Sequence, residues 1–195
     1  MVEPIIKQTM RITEFADGLG SYVLNRNIED VDNLDLYYLT SYTIYRPYSW
    51  NRAALNQLIN SGALRQMRNS ELVRQISNYD GYRQHLDEDY AQDYEVGKTA
   101  QTCTDKIVDK NYPKRDGTES LIWFTPYSFP PVDLRESYRD IDLQLLTGEI
   151  RDLREMVNCF HNLSDHVDSR HVSELPRLKD RARQLIELLK SEYPE

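Results

Sequence analysis

Residues 70–109, SELVRQISNYDGYRQHLDEDYAQDYEVGKTAQTCTDKIVD, decide the fold class. Leu72, Ile76, Tyr79, Leu86, Tyr90, Val96, Ala100, Cys103 and Ile107 recur along it near helical spacing, and no proline interrupts them. Apolar residues three or four apart line one face of an α-helix, and that face needs a partner surface. Asn69 or Ser70 supplies the N-cap, because a short polar side chain accepts a hydrogen bond from an orphan N–H of the first turn. Gly81 and Gly97 weaken the helix and mark the expected places for a bend or break.

Working outward, the same periodicity predicts a helix over 3–26, carried by Ile5, Ile6, Met10, Ile12, Phe15, Leu19, Tyr22 and Val23. A second helix is expected over 31–44, behind the acidic start Glu29-Asp30-Val31-Asp32, with Pro47 ending the element. Ser49 caps a third that runs to Asn60, and Gly62 stops it. Beyond the long helix, residues 111–132 form an irregular stretch ending in Pro126, Pro130 and Pro131, with a short extended strand within Ser120–Thr125. A helix over 133–168 follows, interrupted near Gly148, with Ile141, Leu145, Ile150, Leu153, Val157, Phe160 and Leu163 facing inward. The last helix starts at Ser173, carries Pro176 in its first turn and buries Leu178, Ala182, Leu185, Ile186 and Leu189. Long helices and short loops imply an all-α fold: an antiparallel bundle of five or six helices, one domain over 1–195, with one irregular proline- and aromatic-rich loop. Seven glycines and eight prolines in 195 residues are too few for a turn-rich β fold.

Charge narrows the function. Thirty-two acidic residues against 24 basic ones leave a net charge of −8, the opposite of a nucleic-acid-binding surface. The basic groups Arg65, Arg68 and Arg74, and Lys110, Lys114 and Arg115, read as solvated faces. The longest aromatic-aliphatic run, Leu121-Ile122-Trp123-Phe124, is far short of a membrane span, and the N-terminus lacks the plan of a signal peptide. Any membrane attachment is expected only through an anchor outside this chain.

No nucleophile elbow, P-loop or dinucleotide fingerprint occurs, so no catalytic residue and no cofactor are assigned. His161, His166 and His171 recur every five residues, which sets neighbours about 140° apart around a continuous helix and prevents convergence on one ion. His85, Asp89 and Asp93 share a face at i, i+4, i+8, a trio that holds a divalent ion only if a facing helix adds ligands. The expectation is that His85–Glu95 is a solvated acidic face and that no metal is bound. Asp30-Val31-Asp32-Asn33-Leu34-Asp35 has a faint likeness to a calcium loop, but it lacks the central glycine and the terminal glutamate. Cys103 and Cys159, on different helices among apolar neighbours, are expected to be reduced, buried small hydrophobes.

Residues 48–79, YSWNRAALNQLINSGALRQMRNSELVRQISNY, resemble a family of small bacterial membrane-anchored proteins of unknown function. The pattern is a helix ending in Leu-x-Ser-Gly-x-Leu, a short basic turn, then Asn-x-x-Leu opening a long helix with a tyrosine. Leu58 or Ile59, Ser61, Gly62, Leu64, Arg65, Arg68, Asn69, Leu72 and Tyr79 match it, and Gln184–Glu192 is similar to that family's last helix. The resemblance implies one transmembrane helix ahead of a helical domain, and a periplasmic or otherwise extracytoplasmic location. It supplies no functional residues, because the matching segment is a folding corner. The function expected is a non-enzymatic extracytoplasmic binding, sensing or assembly module. The alternatives are a cytoplasmic helical adaptor or regulator, and an enzyme with an unrecognised site.

A protein partner or a second copy is the expected ligand type, and Trp123, Phe124, Tyr127 and Phe129 are the candidate interface, displayed on a loop that its prolines stiffen. The alternative is a lid folded over the open end of the bundle. Thermal denaturation separates the two. As a lid, Trp123→Ala and Phe129→Ala each cost about 3–5 kcal/mol. As an interface, they leave the melting temperature nearly unchanged and weaken association.

Overall fold

The computed structural model describes residues 2–44, 52–112, 122–123, 132–133 and 135–193. It is an all-α bundle dominated by three long helical runs. These are α1 (Glu3–Leu24), α5 (Ser70–Asp105) and an unbroken run made of α6 (Ile150–Ser169), a π-helical turn (Arg170–Glu174) and α7 (Leu175–Glu192). Between the first two lie three short helices, α2 (Asn33–Leu39), α3 (Ala53–Asn60) and α4 (Ala63–Gln66). Two residues on each side, β1 (Ile122–Trp123) and β2 (Val132–Asp133), form a minimal antiparallel ladder within the stretch read as irregular. A 3₁₀ turn covers Arg135–Tyr138.

Contacts along the long runs set their directions. On α5, Cys103 meets Cys159, Asp93 meets Arg170, Tyr82 reaches the Glu174 carbonyl and Asn69 reaches Glu192, so α5 runs against α6–α7 from end to end. Lys179 Nζ lies 2.8 Å from Glu3 at the start of α1, while Gly20 near its end abuts Val157 and His161. Thus α1 is antiparallel to α6–α7 as well. Ile12, Ala16 and Leu19 of α1 and Leu153, Met156, Phe160, Leu163 and Val167 of α6 are fully or almost fully buried, and they make the centre of the core. Burying a leucine- or phenylalanine-sized side chain contributes about 1.5–3 kcal/mol.

The corner at 60–72 forms as its local chemistry requires. Gly62 takes φ 72°, a left-handed conformation that lets the chain turn between α3 and α4. Asn69 Oδ1 then accepts from the Leu72 N–H at 3.0 Å and opens α5. At α2 the cap is Asp32, whose Oδ1 accepts from the Asp35 N–H at 2.9 Å. Asp35 also takes Arg135 Nη1 at 2.9 Å, so the calcium-like segment is spent on capping and ion pairing.

Several expectations are corrected. The element expected over 31–44 is a 3₁₀ turn at Ile28–Asp30 followed by seven residues of helix, and it stops at Leu39, well before Pro47. The third helix begins at Ala53, and Ser49 lies outside the described residues. The helix expected over 133–168 exists only from Ile150. Residues 141–149 are not helical; the Leu146 N–H donates to the Ile107 carbonyl at 2.8 Å, and Thr147 Oγ1 accepts from the Glu149 N–H in a turn just ahead of α6. No new helix begins at Ser173, because α6 passes into α7 through the π turn. Proline at 176 lacks an N–H and crowds the preceding turn, and wider π hydrogen bonding just before it relieves that conflict. On α7 only Leu175 and Leu178 are buried, and Ile186 is exposed.

The glycines of α5 do not break it. Gly97 is a contact glycine: a Cβ there would meet the Thr43 carbonyl oxygen at 2.2 Å, so its hydrogen allows residues 42–44 to lie against the helix. Gly81 has open space where a Cβ would go. Opposite outcomes follow in urea denaturation. Gly81→Ala should raise stability by about 0.5–1 kcal/mol through helix propensity, whereas Gly97→Ala should lower it, because backbone must shift.

Candidate functional site

Midway along the α5/α6–α7 seam the stripe of α5 changes character. Arg83, Asp89 and Asp93 occupy inward positions that periodicity alone would fill with leucine, and all three are buried. The reading of His85–Glu95 as a solvated face is therefore corrected. Asp93 is 2% exposed and Asp89 8%. A buried carboxylate needs a partner, since desolvating an ion costs several kcal/mol.

The partner is Arg170, 7% exposed and the first residue of the π turn. Its Nε donates to Asp93 Oδ2 at 2.8 Å and its Nη2 to Asp93 Oδ1 at 3.1 Å, a two-point fork matched to a carboxylate. The remaining nitrogen, Nη1, donates to Glu174 Oε2 and to Ser169 Oγ, and lies 3.3 Å from Asp89 Oδ2. Burial pulls the Arg170 pKa down, but the hydrogen bonds it donates to Asp93 and Glu174 outweigh it, and the guanidinium is held more firmly charged than usual.

Asp89 is treated differently. Its Oδ2 is shut off from solvent and accepts no hydrogen bond, although Arg170 Nη1 and His85 Nε2 (3.2 Å) stand within ion-pair range. Burial raises its pKa, opposed by the Arg170 charge. His85 sits at the rim with 53% of its side chain exposed. His85, Asp89 and Glu174 each offer one ligand atom, and the three atoms lie within 4.8 Å of one another. Arg83 stands apart from this group, paired with Asp80 at 3.1 Å and with Asp87.

The other histidines reach separate neighbours. His161 packs against α1 where Gly20 leaves room, His166 Nδ1 is 4.0 Å from Asp93 Oδ1, and His171 Nε2 is 3.5 Å from Asp168 Oδ1. Phe124, Tyr127 and Phe129 lie outside the described residues, and Trp123 is described only through its backbone pairing with Val132.

The thiol expectation is overturned. Cys103 of α5 and Cys159 of α6 form a disulfide across an α-carbon separation of 6.7 Å. Both lie on the apolar seam between antiparallel helices, and this separation falls within bridging reach. Neither sulfur is a free nucleophile.

Asp93 and Asp89 should respond unequally to neutralisation. Asp93→Asn leaves Arg170 buried without its fork and should cost about 3–5 kcal/mol. Asp89→Asn removes a carboxylate whose pKa is raised in the fold. Such a group binds its proton more tightly folded than unfolded, so its contribution to stability is largest at acid pH and declines as pH rises through the folded pKa. Asp89→Asn should thus cost less than about 1 kcal/mol at pH 7 and flatten the fall in stability as pH rises from below the ordinary aspartate pKa to neutral. Chemical denaturation across that range checks both.

The chain matches no family model, no curated protein and no solved structure, so the roles of these residues rest on geometry and chemistry alone.

Proposed function

We propose that the protein is a non-enzymatic helical module that binds, senses or assembles in an oxidising, extracytoplasmic compartment. The observation that carries the reading is the Cys103–Cys159 disulfide. Structural disulfides persist outside the reducing cytoplasm and are rare within it. The bridge joins two helices of the hydrophobic core and closes a loop with a sequence separation of 56. A cross-link of that span stabilises by about 2–4 kcal/mol, chiefly by restricting the unfolded chain.

Two further observations support this reading. The sequence resembles a membrane-anchored family over residues 48–79, where the helix–Gly62–helix corner and the Asn69 cap are formed. The ionisable residues of the seam are engaged chiefly with one another, Arg170 being held on Asp93 and Glu174, which suits recognition on a rigid frame. Among the described residues no helix is long and apolar enough to cross a membrane.

Alkylation with and without reductant, on protein taken from its native host, tests the compartment. Cys103 and Cys159 should resist modification until dithiothreitol is added, and the Cys103→Ser, Cys159→Ser pair of substitutions should lower stability by about 2–4 kcal/mol. Full alkylation without reductant would return the protein to the cytoplasmic adaptor reading.

A further inference from the structure

The charges at the seam do not balance. Asp89, Asp93 and Glu174 converge on one guanidinium, that of Arg170, and His85 and His166 stand at the edge. Two negative charges are left in excess in a site where Asp89 Oδ2 is buried without a hydrogen bond. Arg83 does not relieve them, being engaged by Asp80 and Asp87. One divalent cation bound at this oxygen would cancel the excess.

We propose that His85, Asp89 and Glu174 form a binding site for a divalent transition-metal ion, of the zinc or manganese class, between α5 and the π turn. His85 and Asp89 are one helical turn apart on α5 and Glu174 faces them from the opposing run, so ligands arrive from two elements, as a metal site on a bundle requires. An imidazole with two carboxylates favours ions that accept both nitrogen and oxygen over magnesium or calcium, which take oxygen ligands. Zinc bonds of about 2.0–2.2 Å place tetrahedral ligands about 3.4 Å apart. The three present ligand atoms lie within 4.8 Å, and His85, half exposed, has the rotamer freedom to close the difference.

Arg170 is placed to yield. Asp93 holds it through Nε and Nη2, and Nη1 has Ser169 Oγ at 3.2 Å as a further acceptor. An ion drawing Asp89 and Glu174 toward itself therefore leaves the guanidinium bonded at all three nitrogens. The disulfide keeps both thiols from competing for the metal.

This assignment names the ligand of the binding module proposed above, and it fails separately from the compartment reading. A reduced cysteine pair in the host alongside intact metal binding would sink the compartment alone.

The test is calorimetric titration of the untagged, disulfide-intact full chain with ZnCl2, with melting temperature as a second readout. About one equivalent should bind and raise the melting temperature, MnCl2 should compete, and millimolar MgCl2 should not. His85→Ala, at a half-exposed position that folding tolerates, and Glu174→Gln should each weaken zinc binding at least about tenfold, while His171→Ala should leave it unchanged. The site is disproved if the chain gives neither binding heat nor thermal shift, if His85→Ala binds zinc as the parent does, or if magnesium competes as well as manganese.

Discussion

Two hydrogen bonds from Arg170 to Asp93 hold the register on which the long helices depend. Neither group survives burial alone: an unpaired guanidinium or carboxylate in that position costs several kcal/mol. The alignment of α5 against α6–α7 that satisfies both also brings Cys103 to Cys159 above and Asn69 to Glu192 below. Sliding either helix by one turn would break this fork and leave Asp93 buried without it, while Arg170 kept only Glu174 on its own run. The aliphatic contacts elsewhere on the seam supply attraction without much preference for register, because leucine against leucine tolerates displacement better than a forked ion pair does.

Much of the fold was legible locally. Gly62 and Asn69 are recognisable because turning and capping need only a few neighbouring residues, and both behave as their chemistry dictates. Leu153, Val157, Phe160 and Leu163 follow from periodicity and are buried as expected. The errors arise where distant contacts override local preference. Ile141, Leu145 and Ile150 have the look of a helical stripe, yet the Leu146 backbone among them is claimed by Ile107, almost forty residues earlier. Pro176 looks like the start of a helix, which is its commonest role, and here the chain widens one turn and continues.

The candidate site was half legible. His85, Asp89 and Asp93 stood out by spacing, with the condition that an opposing helix add ligands. Glu174, eighty-five residues beyond Asp89, was invisible without the fold, and so was the arginine that converts an acidic stripe into a buried one. An i, i+4, i+8 run of polar residues is the ordinary signature of a solvated face, and nothing in α5 alone distinguishes the two cases. The disulfide was missed for the same reason. Two cysteines on separate helices specify a pair only when the antiparallel alignment is known, and that alignment depends on Arg170.

The π turn at Arg170–Glu174 carries a consequence for how this chain tolerates length changes. A π turn closes its hydrogen bonds over one residue more than an α turn does. An α-helix advances about 100° per residue, so the π turn takes up its extra residue with roughly the rotation that one residue fewer of α-helix would give. Leu175 and Leu178 thereby reach the core and Arg181 lies over the Tyr82 ring, where ordinary winding of the same five residues would carry all three about 100° round the axis. Removing one residue here should therefore leave the C-terminal helix facing as it does, whereas inserting one should turn it. The five residues work as a phase adjuster between two amphipathic faces that would otherwise point past each other.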